Sequence, residues 1–177
     1  MLVFALWACQ APTPEPIVPY RDTSEHTALV DTATLPLGLQ LSAVDQPPVS
    51  ADTELELVMA WGPAGGWDLR VDAHLAGLAR DPSTVRWVGI VELPDGATAQ
   101  ATTSLYVDET DGRGVLRDMR HYLDIGRNIP EAHEAVCTYA GQSVELRVDL
   151  EDLDNGRATT LIQPVVLRLD PVNEPTC

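Results

Sequence analysis

An antiparallel β-sandwich is the fold class this sequence predicts, and three observations predict it. Apolar residues recur at every second position, Gly/Pro/Asp/Asn clusters separate those runs, and no helix long enough to link parallel strands stands between them. Residues 35–177 hold the pattern and are enough for one ordinary domain with a full core.

In chain order, strands are expected at Leu37–Val44, Glu54–Trp61, Trp67–Leu75, Val85–Leu93, Ala99–Val107, Val144–Leu150 and Ala158–Leu169. The clearest alternation places Trp67, Leu69, Val71, Ala73 and Leu75 on one face, and Asp68, Arg70, Asp72 and His74 on a face expected to be wet. Val144–Leu150 repeats it, with apolar even positions and charged odd ones at 145, 147 and 149. Turn chemistry punctuates the series at Gly62-Pro63-Ala64-Gly65-Gly66, Pro94-Asp95-Gly96, Asp111-Gly112 and Asp154-Asn155-Gly156. Two segments differ. Over residues 114–125, Val115, Leu116, Met119, Tyr122 and Leu123 fit helical spacing as well as alternation, so strand and helix both stay open. One short helix is expected at 129–136, with Asn128 as N-cap, Pro130 in the first turn and Glu131 following.

Ahead of the domain, Leu6-Trp7-Ala8-Cys9 ends an apolar start and resembles the lipobox of bacterial lipoproteins. The resemblance implies cleavage before Cys9, a lipid on its sulfur and a cell-envelope address. Gln10 after the cysteine resembles the outer-membrane-sorted class. Residues 1–8 are then a truncated signal peptide, since no basic n-region precedes the apolar stretch and the true start is expected upstream. Residues 9–34, with Pro12, Pro14, Pro16 and Pro19 among Thr and Ser, have the composition of an extended tether. No apolar run is long enough to span a bilayer, so the expected attachment is through lipid.

Charge and composition exclude several functions. A formal charge of −16 repels phosphate backbones, and Arg113, Arg117 and Arg120 alternate with acids rather than forming a basic stripe, so no nucleic-acid partner is expected. All eleven basic residues are arginine, which removes lysine Schiff bases, phosphate-loop lysines and Ser-Lys dyads. His26, His74, His121 and His133 do not have zinc-protease spacing, the cysteines lack a cupredoxin pattern, and Gly141-Gln142-Ser143-Val144-Glu145 is not a nucleophile elbow. No catalytic residue and no cofactor are expected. Two constellations remain as ligand candidates. Asp149, Asp152 and Asp154 crowd a hairpin end where oxygen ligands could hold calcium, although the spacing departs from an EF-hand. Trp61 and Trp67 flank a glycine loop and could offer aromatic faces to a sugar or peptide, or instead plug the end of the core.

Gly141–Leu150, the Asp154-Asn155-Gly156-Arg157 turn and the final strand resemble the last hairpin of bacterial immunoglobulin-like or fibronectin-III-like modules. Gly62–Trp67 resembles a hairpin of uncharacterised lipoproteins from GC-rich Gram-negative bacteria, with Asp68 where those have histidine. These resemblances imply an immunoglobulin-like sandwich on an envelope lipoprotein. The functional expectation is a non-enzymatic surface module that binds or scaffolds a protein or glycan partner. A calcium- or carbohydrate-binding module is the alternative, and after it a carboxylate-based hydrolase, which needs two facing carboxylates in a cleft.

With Cys9 lipidated, Cys137 and Cys177 form an even pair in an oxidising compartment. The hairpin register about Asp154-Asn155-Gly156 extrapolates to within about four residues of placing them opposite each other. A Cys137–Cys177 disulfide is therefore expected.

Overall fold

The computed structural model describes residues 36–62, 65–78, 82–107, 109–110, 113–125, 129–172 and 177. The chain divides into units Met1–Val30 and Asp31–Cys177, and the described residues all belong to the second. The signal segment 1–8, Cys9 and the tether 9–34 lie outside them.

The elements are β1 (Gly38–Ser42), β2 (Leu55–Trp61), β3 (Trp67–Ala76), β4 (Ser83–Glu92), β5 (Thr98–Val107), β6 (Glu109–Thr110), β7 (Arg113–Leu123), α1 (Ile129–Tyr139), β8 (Ser143–Asp152) and β9 (Arg157–Leu169). The all-β expectation stands, and each expected strand is present to within two residues at either end. The expected short helix is α1, three residues longer than its 129–136 estimate.

Strand order is β1-β3-β2-β9-β8-β4-β5-β7-β6, and a further β3–β7 pairing closes seven of these strands into a ring. The wholly antiparallel expectation needs correcting at one seam. Leu55–Met59 of β2 run parallel to Val165–Leu169 of β9. Alternation identifies a strand but does not choose its neighbour, so this pairing had no local signal. The remaining pairs are antiparallel and fall into two groups. β9, β8, β4 and β5 are paired over long stretches, and so are β3 and β7.

The core lies inside the ring, where Leu57, Met59, Leu69, Val71, Val85, Trp87, Leu146, Val148, Val165 and Leu167 are buried. Period-two placement of these residues removes their apolar surface from water, at about 25 cal/mol per Å². α1 lies across the chain with His133 edge-on to both Trp61 and Trp67, at ring separations of 5.4 and 5.6 Å. Its Tyr139 hydroxyl donates to Asp95 Oδ2 at 2.6 Å, fastening the helix to the Pro94–Gly96 turn. Burial, followed by this bond, pushes the Tyr139 phenol up, and the same bond holds the Asp95 carboxyl below its usual range. Cys137, on α1, is joined to Cys177 with a Cα separation of 5.6 Å, the expected pairing.

One face expected to be wet is so only in part, at Arg70 and His74. Asp68 and Asp72 on β3 are as buried as the apolar residues between them. Each has found charged or main-chain donors. Asp68 Oδ1 accepts from Arg70 Nε at 2.8 Å, and Asp72 is held from three sides. Alternation in β3 is therefore real, but its second face is covered in part by the turn after β1 and by β7.

Candidate functional site

The segment left open between strand and helix, 114–125, is strand β7, and the cause of its ambiguity shapes the candidate site. Val71 faces Met119 and Ala73 faces Leu116, so Asp72 stands opposite both Arg117 and Asp118 in a β-bulge. The extra residue shifts the phase of the buried positions from Gly114 and Leu116 to Met119, His121 and Leu123, which imitates helical spacing. Asp118 has a φ of 51°, in the left-handed region that short acidic side chains tolerate. Asp72, 1% exposed, fixes the bulge. Its Oδ1 accepts the Asp118 N–H at 2.8 Å, while Oδ2 accepts the Asp45 N–H at 3.1 Å and Arg117 Nη1 at 3.4 Å.

The bulge occurs where β5 and β7 diverge. The two strands pair only at Ala99↔Leu123 and Gln100↔Tyr122, supported by an Asp124 N–H to Thr98 carbonyl bond of 3.0 Å. Beyond Gln100, β5 stays with β4 as far as Val107, and β7 stays with β3. A groove of about 550 Å³ opens between them. Ala101, Leu105, Leu116 and Met119 give it apolar lining, while Arg117, Asp118 and Arg120 bring charge. Tyr106, 80% exposed, and Tyr122, 54% exposed, stand there together with Val115. Exposed apolar side chains gathered in one concavity are a mark of a contact surface, whereas scattered ones are ordinary.

The main chain of β5 completes this geometry. Because the Thr98 carbonyl points toward β7, strand alternation turns the N–H and C=O groups of Gln100, Thr102, Ser104 and Tyr106 the same way. Gln100 meets Tyr122. Among the described residues no strand pairs with Thr102, Ser104 or Tyr106 on that side.

The residues singled out from sequence lie elsewhere. Trp67 is fully buried, and Trp61 packs edge-on against it at 5.7 Å, so the pair closes the core with His133 rather than presenting two open aromatic faces. The three aspartates of the calcium grouping are not gathered at one point either. Asp149 and Asp152 fall on opposite faces of β8, and Asp154 Oδ2 instead accepts the Thr84 N–H at 2.8 Å. Asp152 is buried, accepting the Asp154 N–H and lying 3.5 Å from Arg157 Nη2. On the outer face, a hollow of about 660 Å³ brings together Glu92, Glu145 and Asp149 with Arg147. Hydrogen bonds from Thr160 and then Arg147 hold the Asp149 carboxyl below its usual range, the opposite of what a general acid needs.

No protein-family model and no curated protein matches the chain. Among solved structures it is similar to the CooA pilin subunit from enterotoxigenic Escherichia coli. The match is 10% identical and covers 75% of this chain and 99% of that one, with a TM-score of 0.35. That likeness is too distant to carry fold details or function across.

Sequence reasoning missed the groove because it lies within one hairpin, between β5 with its short continuation β6 and the returning β7, where continuous pairing is the ordinary outcome. One signal was present: β5, Thr98-Ala99-Gln100-Ala101-Thr102-Thr103-Ser104-Leu105-Tyr106-Val107, contains no charged residue.

Proposed function

We propose that this chain is a non-enzymatic envelope protein, held at a membrane by lipid on Cys9, whose β-domain binds or scaffolds a partner through the β5–β7 groove. The groove is the observation that carries the binding role, because it joins an apolar lining, two exposed tyrosines and an unpaired strand edge. Support for the address is the Leu6–Cys9 lipobox resemblance and the Pro/Thr-rich 9–34 segment. Among the described residues no helix is long and apolar enough to cross a membrane.

The immunoglobulin-like reading belongs to the same proposal. Its support is the order β1-β3-β7 beside β9-β8-β4-β5, which parallels the A-B-E and G-F-C-C′ layers of that fold, with α1 between the E and F equivalents.

Two measurements test the proposal. Expressed from its native gene in a Gram-negative host, the protein should partition into the detergent phase and Cys9→Ser into the aqueous phase; wild type in the aqueous phase overturns the anchor. Partners captured from envelope extracts by wild type should be lost with Leu105→Arg, and undiminished capture overturns the groove as the contact surface.

A further inference from the structure

Between the β5–β7 pairing at Gln100 and the β6–β7 pairing at Glu109, the unpaired side of β5 lacks the usual protections of a sheet edge. Natural edges are guarded by charged side chains, prolines, bulges or short length. β5 is ten residues long, with no charged residue and no proline, and its register with β4 runs unbroken from Ser83↔Val107 to Glu92↔Thr98. This occurs in a chain that carries 27 acidic and 11 basic residues. A stretch so unguarded, beside an apolar groove, is suited to receiving a short strand between those two pairings.

We propose that the groove takes an extended peptide that adds to β5 as a strand, with apolar side chains alternating with acidic ones. The proposal rests on the reading of this domain as a binding module and specifies what it binds. Hydrogen bonds would come from the outward N–H and C=O groups of Thr102, Ser104 and Tyr106. The edge from Ala101 to Val107 accommodates about seven residues, roughly 23 Å of strand. Every second side chain of the added strand would meet Leu105, Leu116 and Met119, while those between would face outward, toward Arg117.

Charge selects the acidic partner. β5 contributes no carboxylate to the groove, and Arg117 is 65% exposed, with its partners Asp72 and Asp45 at 3.4 and 3.6 Å. Arg120 is more tightly held, at 2.7 Å from Asp118. The charged side chains that line the groove are thus two arginines and one carboxylate, Asp118, on a protein of charge −16. A second copy pairing through β5 is the rival occupant. It would bring a whole domain of like charge against the edge, and its own sheet would have to pass the β7 wall.

The test uses the full chain and three synthetic peptides: alternating Val and Glu, alternating Val and Lys, and the Val/Glu composition arranged in blocks. Hydrogen exchange and binding titrations provide the readouts. The Val/Glu peptide should slow exchange at the Thr102, Ser104 and Tyr106 amides by at least about tenfold, leaving Ala101, Thr103 and Leu105, which face β4, unchanged. The Val/Lys peptide should bind at least about tenfold more weakly, and Ser104→Pro should abolish edge protection. Ser104→Asp, a safer change on an exposed position, should weaken the Val/Glu peptide and spare the Val/Lys one.

No slowing at the edge amides, or equal slowing by the block peptide, overturns strand addition. Edge protection without peptide, together with sedimentation as a dimer, assigns the edge to a second copy and also overturns it. If strand addition fails while Leu105→Arg still abolishes capture from envelope extracts, the binding-module reading survives alone. If capture is also unaffected, both fall.

Discussion

His121 is a polar residue enclosed in the ring, with both ring nitrogens buried and unpartnered and its imidazole 5.9 Å from Trp87. Burial pushes its pKa down to about 4, only partly offset by the nearby main chain of Leu69 and Met119. The unfolded chain takes up this proton near pH 6.5 and the folded one only near 4. Stability from the neutral ring is therefore complete above pH 6.5 and is lost as pH falls from there toward 4. The loss amounts to about 3 kcal/mol. Urea denaturation across that window should show the decline, and His121→Leu should flatten it; an unchanged slope would assign the effect to other groups. Gly89 lies against this ring, and a Cβ there would collide with His121 Nε2 and crowd Trp87 Nε1. Gly89→Ala should cost about 1–3 kcal/mol by overpacking, and His121→Ala in the same chain should recover part of it.

Among the elements, α1 is fixed by the Cys137–Cys177 bond, and the 40-residue separation makes it a long closed loop. Replacing both cysteines by serine should lower stability by about 4 kcal/mol on chain-entropy grounds while keeping the β-sheet circular dichroism, with exchange fastest in α1. Loss of all sheet signal would show that the bond is needed for folding. In β7 the buried Asp72 carboxylate holds the bulge through charge-assisted bonds, so Asp72→Ala should cost about 2–3 kcal/mol by thermal or urea unfolding. A loss within about 0.5 kcal/mol, typical of exposed positions, would mean that Asp72 does not hold it. These two cases mark how far sequence reading reaches. The cysteine pair was legible from the count and from the position of the turn, although the β8–β9 register ends at Ser143↔Val166 and Cys137 stands on α1 before it. The bulge was hidden, because one inserted residue makes a strand imitate a helix, and Asp72 looked like any other solvent-facing acid in an alternating run.

At the level of the whole molecule, the all-β class and the strand positions were legible because each depends on nearby residues: a period of two, and glycine turns such as Asp154-Asn155-Gly156. Partner choice was not legible. Nothing local to Leu55–Met59 announces Val165–Leu169 as its neighbour, and the groove depends on β5 parting from β7 over the stretch where the β7 bulge obscures its alternation. That parallel seam also has a consequence for how the protein is made. β2 is synthesised early, but its neighbour β9 follows every other described strand, so the ring cannot close until β9 has emerged. Such long-range pairing folds slowly, and an unfinished chain exposes the edges of both β2 and β8. A chain stopped after Asn155 should therefore aggregate rather than form a smaller stable domain, as sedimentation and hydrogen exchange would reveal. Until β9 arrives, protection of the nascent protein must come from whatever holds its early strands apart.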